Sequence, residues 1–240
     1  VISFRELLGG RSKITALLQL ADCPSFPEEL VMRRDASVNM TGGLSVIDEI
    51  ALLQPLHDHD VAVPRPFALG SDPAIAGSPF ILVSKLSGAA GEIYRTPPSP
   101  PLVADVARNL ARLHQVPVGA FAAAVPTTTP PTADDLRAEI AAARHSWNAC
   151  VPPPSICMNA AFEWLLRNAG SGCDGTPALV HGDLLFHNIL FDGDQLTGIL
   201  DWELARISYP AADLGYFRPA AERAMPWEEF MAAYRSAGGE

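Results

Sequence analysis

Between His181 and Asp201, polar and charged residues crowd into a stretch whose flanking segments are apolar. Asp183 and Asn188 stand five positions apart on what reads as one loop, leaving one strand and entering the next. Asp201 ends the strand after that (GIL-Asp201-Trp202), where a hairpin would return it to the same place. Phosphoryl transfer asks for few protein groups. A carboxylate must orient a hydroxyl and accept its proton, and hard oxygen ligands must hold magnesium on nucleotide phosphates. Singly, each of these residues suits an ordinary turn or cap. In this order and spacing they form a candidate site, with Asp183 as base and Asn188 and Asp201 as magnesium ligands.

Such a site needs walls, and the first third of the chain reads as strands with one helix. Residues 3–8 and 14–20 are apolar-rich runs on either side of Gly9-Gly10-Arg11-Ser12, a hairpin pattern. Residues 29–34 (ELVMRR) suit a short third strand. Over 44–56, Leu44, Ile47, Ile50, Ala51 and Leu53 fall near one helix face. Pro64, Pro66 and Pro73 then break the chain before a further strand at 80–86 (FILVSKL). Residues 88–101, rich in Gly, Ser and Pro, read as a linker. Helices are predicted over 102–114, 133–150 and 156–168, with Trp147, Trp164 and Trp227 as packing residues on helical segments. Short strands between 178 and 200, turning at Asp192-Gly193-Asp194, suggest one small inserted sheet. The pattern predicts an α+β chain of two lobes: residues 1–87 strand-rich with one helix, residues 88–240 mostly helical. A ligand would bind in the cleft between them.

The runs HGDLLFHNILF, LTGILDWELA and PAADLGYF together resemble the aminoglycoside phosphotransferase and choline kinase-like family. The five-residue interval from Asp183 to Asn188 also matches that between base and metal-binding Asn in the kinase catalytic loop. The resemblance implies a two-lobed protein-kinase-like fold. It implies transfer of the γ-phosphate of ATP or GTP, with Mg2+, to a hydroxyl of a small molecule. His181 and Asp213 would support the loop by hydrogen bonds. LLGGRSKITALL resembles the family's nucleotide-covering hairpin, whose Gly-Gly-x-Ser turn, ending here in Ser12, lets backbone amides approach phosphates. ELVMRRD resembles the third strand, where kinases place the Lys that contacts the α and β phosphates.

Here the matching position is Arg33, with Glu49 of the helix DEIALLQPL as its ion-pair partner. Alternation sends Arg33 and Arg34 to opposite faces, and the register of Leu30, Val31 and Met32 selects Arg33. Arg keeps the charge of Lys but not its reach or geometry. Kinase-like domains linked to acyl-CoA dehydrogenases share this feature, and they are the subgroup this chain most resembles. FILVSKLSG resembles the strand and hinge that pair with adenine through backbone groups, which places Ser84, Lys85 and Leu86 at the hinge. Glu203, two residues past Asp201, is a candidate substrate contact. The rival reading is a nucleotide-binding pseudokinase or scaffold; the intact Asp183, Asn188 and Asp201 speak against it, and Arg33 speaks for it.

Other classes are excluded by what the chain lacks. Its net charge is −10, and Arg33–Arg34 is its only basic doublet, so there is no stripe for nucleic acid. No apolar run approaches the roughly 18 residues of a membrane span. Arg5 and Glu6 interrupt any signal-peptide layout. Cys23, Cys150, Cys157 and Cys173 form no C-x-x-C pair, which suits free thiols in the cytoplasm. His57-Asp58-His59-Asp60 reads as a solvated loop rather than a metal site. Ser37 and Ser45 lack the G-x-S-x-G turn of a hydrolase nucleophile. Without D-F-G, A-P-E or an activation-loop-sized segment before Pro210, a protein substrate is not expected. The family pattern implies more helices after Glu240, and the first residue is Val rather than Met. The acceptor, whose specificity in this family lies in the segment 116–176, and the oligomeric state have no readable code.

Overall fold

The structure, a computed structural model, describes residues 1–7, 13–36, 43–92, 99–150, 153–173 and 175–240. The first sheet is antiparallel and contains β1 (Ser3–Leu7), β2 (Lys13–Gln19), β3 (Glu29–Asp35), β4 (Pro66–Gly70) and β5 (Phe80–Ser84). Their order is β1-β2-β3-β5-β4. Directly opposed residues of neighbouring strands share a face. Lys13, Thr15 and Leu17 therefore stand with their partners Asp35, Arg33 and Val31 on one side. Ala16, Leu18, Leu30, Met32 and Phe80 close a small apolar cluster on the other. β4 departs from the sequence expectation, which took the prolines as breakers. Pro66 is the first residue of an edge strand, a position that tolerates the missing N–H.

α1 (Val46–Asp58) begins at a capping box. The Ser45 hydroxyl accepts from the Asp48 amide (3.2 Å), and the Asp48 carboxylate accepts from the Ser45 amide (3.0 Å). The helix buries Val46, Leu52, Leu53 and Leu56, and with them Glu49. Ile47, expected on the buried face, is exposed. A one-turn helix, α2 (Pro73–Ala76), adds to the single helix expected in this part of the chain.

β6 (Ala89–Ala90) lies inside the segment read as a linker, because its two residues pair with a later strand. α3 (Pro100–Gln115) is capped by Ser99, whose hydroxyl accepts from the Leu102 amide (3.3 Å). It buries Leu102, Val103, Val106, Ala107, Leu110 and Leu113 at the centre of the molecule. α4 (Ala133–Ala149) and α5 (Ile156–Asn168) follow, then β7 (Ala178–Val180), β8 (Ile189–Asp192), β9 (Gln195–Ile199) and β10 (Arg206–Ser208). The chain ends in α6 (Ala211–Ala221) and α7 (Trp227–Ser236). Instead of one inserted sheet, the described residues form two: β6-β8-β9, and β7 paired with β10. A three-residue strand such as β10 is too short for alternation to reveal.

One continuous core runs from α1, Ile81 and Val83 through α3 to Trp202, Phe217, Phe230 and Tyr234. The tryptophan expectation holds only in part. Trp227 packs against this core and stacks on Phe230, but Trp147 and Trp164 are 38% and 63% exposed. Their helices explain it: α4 buries no residue and α5 buries only Phe162. The four cysteines are free, and among the described residues no helix is long and apolar enough to cross a membrane.

Candidate active site

The loop after β7 is held from beneath by α6. Asp213, in the first turn of that helix and fully buried, accepts the amide N–H groups of His181 (2.8 Å) and Gly182 (2.9 Å). Its Oδ2 also accepts from His114 Nε2 of α3 (3.3 Å). Burial pushes Asp213 upward, but the hydrogen bond and charge of His114, with His181 and the Gly182 amide, hold it below the ordinary carboxylate range. Gly182 has φ 83°, and a Cβ there would lie 2.6 Å from the Leu204 carbonyl oxygen. Only glycine passes this point without strain.

His181 joins the loop to the next strand. Its Nε2–H donates to the Leu200 carbonyl (2.8 Å), and its Nδ1 accepts the Asp183 amide (3.2 Å). Both bonds together need the neutral imidazole. Burial drives the His181 pKa below its usual value, outweighing Asp213. The unfolded chain therefore binds a proton here more readily than the folded one, and stability falls as pH drops below about 6.5. Thermal melts from pH 8 to pH 5 should show decreasing midpoints, with a shallower decrease in His181→Asn. Equal slopes in the two proteins would remove His181 as the cause.

Asp183 and Asn188 are locked together. Asn188 Nδ2 donates to the Asp183 carbonyl (2.9 Å) and to its Oδ2 (3.1 Å). The amide nitrogen of the side chain is thereby committed, which leaves its oxygen as the atom free to act as a ligand. The other carboxylate oxygen of Asp183 accepts the Tyr216 hydroxyl of α6 (2.8 Å), and His187 Nε2 lies 3.5 Å from Oδ2. Backbone pairing of the Leu200 amide with the Asn188 carbonyl (2.8 Å) sets Asp201 alongside. Asp201 is left-handed, at φ 65° and ψ 65°, a conformation uncommon outside glycine and enriched at functional positions.

Across the cleft, Arg33 donates to the buried carboxylate of Glu49 and lies 3.5 Å, through Nη2, from Asp201 Oδ1. Burial pushes the Glu49 pKa up, opposed by Arg33 and Lys13. A cavity of about 390 Å³ opens between the first sheet and the β8–β9 hairpin. Arg33, Ser84, Lys85, Leu86, Asn188 and Asp201 all line it, and Arg34 does not. Arg5, Lys13, Arg33 and Lys85 contribute four basic side chains to this lining against one carboxylate, Asp201. Three of these cations are paired with carboxylates, Lys13 with Asp35, Arg33 with Glu49 and Lys85 with Glu29, so the lining presents pre-positioned cationic donors to an anion rather than a large net positive charge.

At the expected hinge, the Ser84 amide donates to the Arg65 carbonyl and its hydroxyl accepts the Arg65 amide, both at 2.9 Å. The Lys85 ammonium pairs with Glu29 (2.8 Å), and Leu86 packs over Gly198, where a Cβ would meet its Cδ1 at 2.2 Å. Ser12 lies outside the described residues. Glu203 is not in the cleft. It lines a separate hollow with Asp135, Glu139 and Arg206. His57 and Asp58 close α1 rather than forming a loop, and among the described residues no group of His, Cys, Asp and Glu is gathered as a metal cluster.

Residues 14–240 match the model of the phosphotransferase enzyme family. The chain belongs to this family. A probable acyl-CoA dehydrogenase of Arabidopsis thaliana is 25% identical over 224 residues, 86% of this chain but 26% of that protein. The phosphotransferase-family chain thus spans only about a quarter of that curated relative. Its fold is that of the aminoglycoside and macrolide phosphotransferases. The macrolide 2'-phosphotransferase MphH of Brachybacterium faecium superposes with a TM-score of 0.70 at 22% identity, over 99% of this chain and 78% of that one. The GDP and kanamycin complex of APH(2'')-IIIa superposes with a TM-score of 0.65 at 21% identity, over 98% and 78%.

Four side chains of this family member stand at the site without having been singled out in the sequence. Tyr216 is three residues after Asp213 on α6, so helical spacing sets the two near one face. His187 is the neighbour of Asn188 on the same loop. Lys13 shares its face with Arg33 through strand register. His114 carried no signal, since α3 meets Asp213 only through the tertiary fold.

Proposed function

We propose that this protein transfers the γ-phosphoryl group of ATP or GTP to a hydroxyl of a small molecule. The observation that carries the reading is the gathering of Asp183, Asn188 and Asp201 beside a cleft lined by basic side chains. Residues 1–87 and 88–240 act as the two lobes, joined at 84–86. Asp183, oriented by Asn188 and Tyr216, receives the acceptor hydroxyl and takes its proton. Arg33, aligned by Glu49, holds the phosphates of the donor. The free oxygen of Asn188 and the carboxylate of Asp201 suit magnesium, which takes one or two protein carboxylates and completes its shell with phosphates and water. When bound, the ion neutralises charge on the phosphate oxygens.

Nucleotide consumption over a panel of small alcohols tests this reading. Hydrolysis or transfer that requires both magnesium and Asp183 is expected. Asp201→Ala should abolish the effect of magnesium on nucleotide affinity, and Asn188→Ala should weaken it, as read by calorimetry. An unchanged magnesium effect in Asp201→Ala removes that residue from the site. The contact between Arg33 and Asp201 favours a second reading, in which the guanidinium stays on the metal ligand and the chain binds nucleotide without turnover. Binding with no consumption by any acceptor would decide for it.

A further inference from the structure

We propose that Lys13 is a second phosphate-binding cation of the cleft, held in reserve by Asp35 and released to the donor nucleotide. This rests on the nucleotide reading above. Lys13 opens β2 and pairs with Asp35 of β3, as Thr15 pairs with Arg33. Its side chain therefore shares the face of Arg33 as a diagonal cross-strand neighbour, about 7–8 Å away. Both side chains are long enough to converge on one polyphosphate from that separation.

Lys13 is only 5% exposed, yet it lines the cleft together with Arg33, Asn188 and Asp201. A lysine is almost never buried without partners, and this one has two: Asp35 Oδ1 and the Leu44 carbonyl, each at 2.6 Å. An ammonium has three donors, so among the described residues one N–H is left over. The guanidinium of Arg33, by contrast, already meets the carboxylates of Glu49 and Asp201. The compact, mobile ammonium that a phosphate clamp calls for is absent from the third strand and present on the second.

A structural role competes with this one. Asp35 Oδ2 also accepts the Val46 amide at the start of α1 (3.3 Å), so Lys13, Asp35 and Leu44 tie the sheet to that helix. The two roles predict different binding patterns. Calorimetry with magnesium and AMP-PNP, and separately with adenosine, should be run on the wild type, Lys13→Met, Lys13→Arg and Asp35→Asn. Lys13→Met is expected to weaken AMP-PNP by about 10-fold or more, the scale of one lost charge-assisted contact, with adenosine changed less than about twofold. Lys13→Arg should recover part of the loss. Asp35→Asn keeps the amine and removes its competitor, so AMP-PNP should bind more tightly even where the melting temperature falls.

Equal losses for AMP-PNP and adenosine in Lys13→Met, or no loss for either, overturn the assignment. If Lys13→Met does not fold, Asp35→Asn decides: unchanged or weaker AMP-PNP binding overturns the release. A wild type that binds neither AMP-PNP nor GMP-PNP overturns the nucleotide reading itself; one that binds only GMP-PNP moves the same comparison to GMP-PNP and guanosine. A wild type that binds both AMP-PNP and adenosine, with Lys13→Met binding AMP-PNP equally well, overturns only the role of Lys13.

Discussion

Replacing Asp183 with Asn should lower turnover by about 10²-fold or more, the range of general-base loss, while nucleotide affinity stays within a few-fold. The substitution keeps the shape of the side chain and removes its ability to take a proton. It also disturbs the lock around it. Asp183 offers two acceptor oxygens, one to Tyr216 and one to Asn188. An amide at 183 supplies only one acceptor, so either Tyr216 or Asn188 must turn its donor away. The loop itself should hold, because its backbone is fixed by Asp213 and His181 rather than by the Asp183 carboxylate. Initial rates at saturating nucleotide, compared at matched melting temperature, read the effect. Phosphorylation at near wild-type rate by Asp183→Asn would end the assignment of this residue as the base.

The candidate site from Asp183 to Asp201 was legible because its geometry is local. Asp183 and Asn188 sit on one loop and are tied through five residues of chain, and a single hairpin brings Asp201 back to them. Arg33 was legible one step further out, through the resemblance of ELVMRRD to the family's third strand and the register of Leu30, Val31 and Met32, and Glu49 through the ion pair that the same resemblance implies. Lys13 was within reach of the same reasoning. The cross-strand partner of Asp35 is fixed once the hairpin register is known, but the register depends on the turn, and the turn has no unique length in the sequence.

What was not legible depends on contacts between distant segments. His114 meets Asp213 across 99 residues. The strands β4, β6 and β10 are edge or two- to three-residue pieces, whose pairing is decided by the partner rather than by their own pattern. The tryptophans err in the other direction. Trp147 and Trp164 have the composition of a packing face, but α4 and α5 stand away from the core that Trp202 fills. Hydrophobicity alone does not say which of several apolar faces the fold will bury.

Removing Asp213 should destabilise the fold by about 3–5 kcal/mol, the scale of several buried donors left without their acceptor. Asp213 is fully buried and serves three donors on two segments: the His181 and Gly182 amides and the His114 imidazole. Asp213→Ala leaves all three without this acceptor in a place water does not reach, and each such loss costs about 1–3 kcal/mol on its own. Asp213→Asn keeps one acceptor oxygen but turns an N–H toward another donor, so it should fall between wild type and Ala. The folded-state pKa of Asp213 is depressed. Its contribution is therefore present at neutral pH and disappears as pH falls through the acid range, where the unfolded chain takes up the proton first. The difference in urea midpoint between wild type and Asp213→Ala should accordingly be largest near neutral pH and shrink in acid. Because the same carboxylate fixes the amides of His181 and Gly182, turnover per folded molecule should fall too, although Asp213 touches no reacting atom. An Asp213→Ala protein with wild-type stability and a pH-independent urea midpoint difference would show that the loop after β7 is held by something other than α6.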